Sequence, residues 1–277
     1  MGNGLRSVET DGAAKVKLRV VGVSRSFKTN QGSLQALANI HLDVSEGEFV
    51  CIVGPSGSGK STLLNLIAGL DQPTEGEVWT DGKLVQAPGS DRIVIFQELG
   101  LFPWLTVQEN VEFGLRMQGA GAAERQARAR EYLRLVHLSG FENSYIHQLS
   151  GGMKQRVALA RSLVTEPDVL LMDEPFAALD AQTRDLLHEE LERIWTETHK
   201  TIVFVTHNVR EAVRLGNRVL VMTFRPGQIK TEFPISLPRP RHLEDPDLAV
   251  CAREILAQLK EEIDKAVKME YTHEENR

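Results

Sequence analysis

The segment Gly54-Pro55-Ser56-Gly57-Ser58-Gly59-Lys60-Ser61-Thr62 follows directly on the apolar run Phe49–Val53 and opens a helical pattern over 61–70. A buried strand emptied through a glycine-rich turn into a helix leaves few architectures open. It starts a βα unit whose strand lies inside a sheet. The glycines let successive backbone N–H groups curl toward one point, and the helix N-terminus adds partial positive charge there. That cradle suits a phosphate. In the matching G-x-x-x-x-G-K-S spacing, the Lys60 ammonium reaches the outer phosphates of a nucleoside triphosphate and the Ser61 hydroxyl reaches Mg²⁺. A glycine-rich turn that binds nothing is the bland alternative, and the strand before it and the helix behind it argue against that.

Other short apolar runs recur at 92–96, 169–172, 201–206 and Arg218–Met222, bounded by turn residues. They are apolar nearly throughout, as strands covered on both faces of a parallel α/β sheet are. A helical pattern over 181–197 follows one of them. Residues 16–23 and 37–44 alternate more, which predicts a small antiparallel layer near the N-terminus. Between Gln97 and Leu149 the strand signal disappears and 122–136 is rich in helix formers, so an inserted helical subdomain is expected over about 98–158. Pro226, Pro234, Pro238 and Pro240 predict a linker without long regular structure. A helix stripe follows over 247–268, with Leu248, Cys251, Ile255, Leu259 and Ile263 as its apolar face. The expected division is a flexible, Gly-rich tail over 1–16, a core over 17–240, and a helical extension over 241–277 whose last residues, 271–277, fray.

With 277 residues the chain can bury one sizeable core carrying an insertion. Its net charge of -6 argues against a general affinity for nucleic acid or anionic lipid. The two cysteines, Cys51 and Cys251, form no disulfide framework and read as buried small apolar residues in a reducing cytosol. No apolar run approaches the roughly 20 residues that cross a bilayer. Met1-Gly2 is not a myristoylation signal, because Arg6 stands where that motif needs Ser or Thr. A membrane role would come through a partner.

Further elements carry chemistry. The run 169–172 delivers Asp173 and Glu174 to a strand's carboxyl end, where α/β sheets bind ligands. Asp173 is placed to hold the Mg²⁺ shell, and Glu174 to orient and deprotonate an attacking water. Leu149-Ser150-Gly151-Gly152-Met153 sets a hydroxyl and bare backbone at the start of a second helical pattern, 154–163, another anion-attracting helix N-terminus. A plain helix cap would explain a lone Ser-Gly-Gly. Extended by Lys154-Gln155-Arg156 and followed by the acidic strand, the motif is specific.

Together these motifs resemble the ATP-binding cassette family over residues of about 17 to 225, in particular the cassettes of bacterial importers. The resemblance implies an α/β, P-loop NTPase (ABC ATPase) core with an N-terminal antiparallel β layer and an inserted α-helical subdomain. It places Gln97 at the Q-loop, contacting Mg²⁺ and the water, and His207 at the switch-histidine position, contacting the γ-phosphate. Phe27 matches the aromatic that stacks on adenine, and Leu179-Asp180 match the D-loop that crosses the dimer interface. It also implies that Ser150, Gly151 and Gly152 close over ATP held by a second copy of the chain.

A narrower similarity is carried by Gly100 to Asn110, with Phe102-Pro103-Trp104 inside it, by Asp173-Glu174-Pro175-Phe176, by Arg225-Pro226-Gly227 and by Leu237-Pro238-Arg239-Pro240. These are similar to ATPases of nitrate, sulfonate and taurine importers. The implied cofactors are ATP and Mg²⁺. The implied partners are transmembrane permease subunits, a second ATPase copy and, indirectly, a periplasmic solute-binding protein, with no nucleic acid. The implied place is peripheral, on the cytoplasmic face of the inner membrane. Phe102, Pro103 and Trp104 are expected to help form the groove that receives a cytoplasmic helix of the membrane subunit.

Three departures stand out: Ala177-Ala178 before the D-loop where Gly or Ser is common, Asn208 after His207 where Asp is usual, and Phe27 in place of Tyr. An exporter shares the same cassette; the Pro-Trp segment and the tail after the core favour import. A ribosome-acting protein would carry two cassettes, a DNA-repair one a long coiled-coil insertion, and a non-catalytic module would lack Glu174 or His207.

Overall fold

A computed structural model describes residues 15–29 and 32–275. Most of the expected N-terminal tail, 1–14, therefore lies outside the described residues. Two sheets form. The smaller has four strands in the order β2-β1-β4-β5, with β1 at Val16–Thr29, β2 at Gly32–Ser45, β4 at Glu75–Thr80 and β5 at Lys83–Leu84. The pairs β1–β2, β1–β4 and β4–β5 are all antiparallel. The larger sheet runs β10-β9-β3-β8-β7-β6, with β3 at Phe49–Val53, β6 at Arg92–Ile95, β7 at Val169–Asp173, β8 at Thr201–Val205, β9 at Arg218–Met222 and β10 at Ile229–Pro234. Its strands are parallel except β10, which pairs antiparallel with β9 at the edge.

The continuous apolar strands have the physical reason expected: both faces are covered. Alternate residues of β3 point to opposite sides, as strand pleating requires. Val50 and Ile52 pack with Leu18, Ile40, Leu63 and Ile67, so the helix α1 (Lys60–Ala68) lies between the two sheets. Phe49, Cys51 and Val53 face the other core, with Phe204, Val213 and Leu259. That second core takes in the inserted helices α2 (Val107–Met117), α3 (Ala122–Leu135) and α4 (Gly151–Leu163), then α5 (Ala181–Thr198), α6 (Val209–Leu215) and α7 (Pro246–Glu275).

Several expectations change. The Pro-rich stretch after Arg225 is not all linker, because Ile229–Pro234 adds β10 to the sheet. Its Pro234 sits at the end of an edge strand, where a missing N–H costs no central ladder bond. The helix α7 reaches Glu275, and 276–277 lie outside the described residues. Its buried face is Leu248, Ala252, Ile255, Leu259, Glu262 and Ala266, whereas Ile263 is exposed. Cys51 is buried but Cys251 only partly so. Strands β4 and β5 were not foreseen: Glu75–Thr80 holds two acids and a glycine, and pairs because β1 presents an open edge to it. Among the described residues no helix is long and apolar enough to cross a membrane.

Candidate functional site

The parallel register aligns the carboxyl ends of β3, β8 and β7: Ile52 is opposite Val205, and Val205 is opposite Asp173. Every loop that carries a candidate residue after these strands therefore leaves the sheet on one side. The loop after β3 wraps the N-terminus of α1. Gly59 caps that helix with φ +88°, and a Cβ there would stand 2.6 Å from Leu37 Cδ2. Only glycine combines that backbone with that closeness. The buried Lys60 ammonium donates to the carbonyls of Gly54 at 2.9 Å and Pro55 at 3.0 Å, and approaches the Ser58 hydroxyl at 3.4 Å. Ser56, Gly57 and Ser61 form the exposed rim of the loop, with Thr62 half-buried behind.

Burial lowers the Lys60 ammonium pKa, while Glu174 and Asp173 raise it. The Asp173 carboxyl is pushed up by burial, drawn down by the Ser61 hydroxyl, pushed up by Glu174 and drawn down by Lys60. Lys60, Ser61, Asp173 and Glu174 thus feel one another across the sheet end. Asp173 Oδ1 is buried and has no hydrogen-bond partner in the protein. Such an orphaned carboxylate oxygen beside a serine hydroxyl is a hard donor set that fits Mg²⁺. Among the described residues no group of three or more acidic, His or Cys side chains could enclose a metal. The pair therefore suits an ion that takes the rest of its ligands from phosphate and water.

Glu174 leaves β7 in a left-handed conformation, φ +45°, with its N–H bonded to the Val205 carbonyl at 2.9 Å. That conformation is uncommon for a glutamate, and strain of this kind persists where surrounding structure enforces it. The turned carboxylate meets His207: Nδ1 lies 3.0 Å from Glu174 Oε2. The imidazole is otherwise exposed. At the Asn208 departure the side-chain oxygen caps α6, accepting the N–H groups of Arg210 at 3.0 Å and Glu211 at 3.3 Å. The Ala177-Ala178 turn is held by the backbone, with Ala177 N–H to Glu174 O at 3.2 Å, and by Arg184, which donates to the carbonyls of Phe176 and Leu179.

Other candidates stand apart. Gln97 is exposed just after β6, and the Ile95–Met172 register sets it at the same sheet end as Glu174. Phe27 lies on β1 of the small sheet, partly exposed, with the Arg25 guanidinium 4.6 Å from its ring centroid. Ser150 caps α4 by accepting the Met153 N–H at 3.3 Å. Ser150 and Gly151 are exposed, and the nearest atoms to a Cβ at Gly151 and Gly152 belong to Leu179 and Thr183, beside the D-loop segment. Among the described residues no hydrogen bond or ion pair joins Ser150–Gly152 to the phosphate loop of the same chain.

The sequence marked two further segments without showing what they touch. The Arg225-Pro226-Gly227 turn lies against the phosphate loop: Arg225 Nε donates to Gly57 O at 3.3 Å, and a Cβ on Gly227 would fall 2.0 Å from Ser58 O. A turn signal was legible there, its target was not. The buried Asn110 pins the Phe102–Trp104 segment, accepting the Phe102 N–H at 2.8 Å and donating to the carbonyls of Phe102, Leu105 and Thr106. Trp104 remains exposed beyond it, and Phe102 packs on Phe113 at a centroid distance of 4.5 Å. Phe113 also lines an open groove of about 300 Å³ with Gln108, Glu112 and Arg116.

Residues 37–177 match the ABC transporter family. A nitrate import ATP-binding protein of Synechocystis is 53% identical over 221 residues, covering 80% of this chain and 83% of the relative. A taurine import ATP-binding protein of Burkholderia pseudomallei is 49% identical over 223 residues, 80% of this chain and 86% of the relative. Among solved structures, a dimeric ATP-binding cassette in a post-hydrolysis state bound to ADP and Pi is 38% identical, with a TM-score of 0.70 over 80% of this chain and all of the other.

Proposed function

The chain belongs to the ABC transporter family, and on that premise we propose that it hydrolyses MgATP as the nucleotide-binding subunit of an importer for a small solute such as nitrate, a sulfonate or taurine. One observation carries the catalytic part: Lys60, Asp173, Glu174 and His207 meet at one end of the sheet, while Ser150 and Gly151 stand exposed with no bond to that site. A second copy then supplies Ser150–Gly152 to the ATP held on Gly54–Thr62. In the proposed division the cassette is 17–240, with its helical subdomain at about 98–158 and a C-terminal extension from 241. The named importer relatives support the direction and solute class. Permease subunits, a periplasmic solute-binding protein and a peripheral place on the cytoplasmic face follow from that reading.

The chemistry divides among the residues. Phosphoryl transfer needs mainly positioning and charge stabilisation. The loop N–H groups and the Lys60 ammonium hold the phosphates, and Phe27 offers a ring face to the base. Ser61, Asp173 and Gln97 would hold Mg²⁺, which supplies charge neutralisation when bound. Glu174 Oε atoms accept the proton of the attacking water. His207, oriented through Nδ1 on Glu174 Oε2, keeps its other ring nitrogen for the γ-phosphate.

Complementation tests the shared site. Lys60→Ala and Ser150→Arg should each lower hydrolysis about 100-fold as single species. Mixed, they should regain turnover, because a mixed dimer holds one intact site. Failure of the mixture to recover, or full-speed turnover by a strict monomer, overturns the reading. For the permease contact, Trp104→Ala should spare ATP binding and basal hydrolysis but lower permease-stimulated hydrolysis about tenfold. Unchanged stimulation in the reconstituted transporter removes this segment from coupling.

A further inference from the structure

A buried imidazole and a buried carboxylate each need partners, or they cost folding energy. His188, on α5, is 1% exposed and Glu211, on α6, is 5% exposed. They find each other: His188 Nε2 lies 2.6 Å from Glu211 Oε1. The second oxygen of Glu211 accepts a short hydrogen bond from the Thr206 hydroxyl. Thr206 is itself buried, is the residue before His207, and accepts the Asn208 N–H on that same hydroxyl at 3.0 Å. His207 is thus flanked on both sides by residues tied to one oxygen atom.

The other face of the cluster reaches the acidic strand. Phe176, two residues after Glu174, packs edge-on against the His188 ring at 5.4 Å. Asp185 approaches His188 Nδ1 at 3.8 Å, outside hydrogen-bond distance. Four segments therefore converge: α5, which follows Asp180; α6; the 206–208 loop; and 174–176. Apolar side chains could join α5 to α6 with less desolvation. What apolar residues could not supply is a directional bond to the loop that carries His207.

We propose that His188, Glu211 and Thr206 form a buried brace and act as positioning residues, fixing the 206–208 loop so that His207 stays on Glu174. This rests on the reading of His207 given under Proposed function. The brace also ties that loop to α5, whose N-terminal cap Asp180 belongs to the segment expected at the dimer seam.

Thr206 gives the clean test, because valine matches its shape without the hydroxyl and serine keeps the hydroxyl. In the full-length chain with MgATP, Thr206→Val should lower kcat about tenfold, with the KM for ATP and nucleotide affinity within about twofold. Thr206→Ser should restore most of the rate. In a His207→Ala background, Thr206→Val should add no further loss, since the brace acts only through His207. Thermal unfolding of each variant reads the fold, and Thr206→Ala takes the place of the valine variant should that one not fold. Wild-type kcat for the hydroxyl-free variant, or a full additional loss without His207, overturns the brace. A His207→Ala chain that hydrolyses at the wild-type rate overturns the reading of His207 instead.

Discussion

Glu174→Gln binds MgATP as the unaltered chain does and turns it over roughly 10²–10⁴-fold more slowly, the range expected for loss of a general base. The substitution keeps volume and leaves an oxygen that can still face His207 Nδ1, now 3.0 Å from the carboxylate. It removes only the capacity to take a proton. The backbone there is unusual, φ +45° with the N–H anchored on Val205 at 2.9 Å, and glutamine has no different demand on it. Structure and affinity should therefore survive while chemistry fails. A further consequence is accumulation of a closed, ATP-loaded dimer, visible as a shift to the dimer on size-exclusion chromatography with MgATP. Phosphate release measured beside equilibrium nucleotide binding decides the matter: a rate within twofold of the parent takes the proton-accepting role away from Glu174.

Gly227→Ala is the second large effect, and it acts from behind the phosphate loop. The new methyl would stand 2.0 Å from the Ser58 carbonyl oxygen, 3.0 Å from Met222 Cε and 3.1 Å from Leu37 Cδ2. The turn cannot simply retreat, because Gly227 N–H bonds to Ala36 O at 2.8 Å and Gly227 O accepts the Ala38 N–H at 3.0 Å. Either those bonds break or the loop at Ser58 moves. A displacement of about 1 Å in a positioning element can cost on the order of 100-fold in rate. We expect kcat/KM for ATP to fall by about that factor, with most of the loss in KM. Gly121→Ala is the control, since nothing lies within 4 Å of a Cβ there. Parent-like ATP kinetics in Gly227→Ala would show that the Arg225–Gly227 turn has no part in shaping the site.

The site was legible to very different degrees along the chain. The motif Gly54–Thr62 reads directly because its physics is local: a strand, left-handed glycines and a helix start follow each other within a few residues. Asp173 and Glu174 read as a strand-end pair for the same reason. Ser150 reads as a hydroxyl at the start of a second helix for the same reason, and it stands at the N-terminus of α4, accepting the Met153 N–H. The second strand layer was only half legible, because Glu75–Thr80 lacks an apolar run and pairs through an edge that β1 provides. Glu262 shows the limit on a helix: it falls on the inward face of α7, where the apolar stripe had placed Ile263, and is satisfied by Phe224 N–H and Lys230 from the neighbouring hairpin.

By itself the order of amino acids determined which segments become strand, turn and helix at the phosphate loop, and which groups there could bind phosphate, metal and water, because those properties depend on neighbours a few bonds away. Tertiary structure alone decided that β8 lies between β3 and β7, that Gly227 touches Ser58 and that Thr206, Glu211 and His188 share one hydrogen-bonded cluster. Those meetings join residues far apart in the chain, and they are selected by the packing of two covered sheet faces, a property of the whole fold that no local pattern encodes.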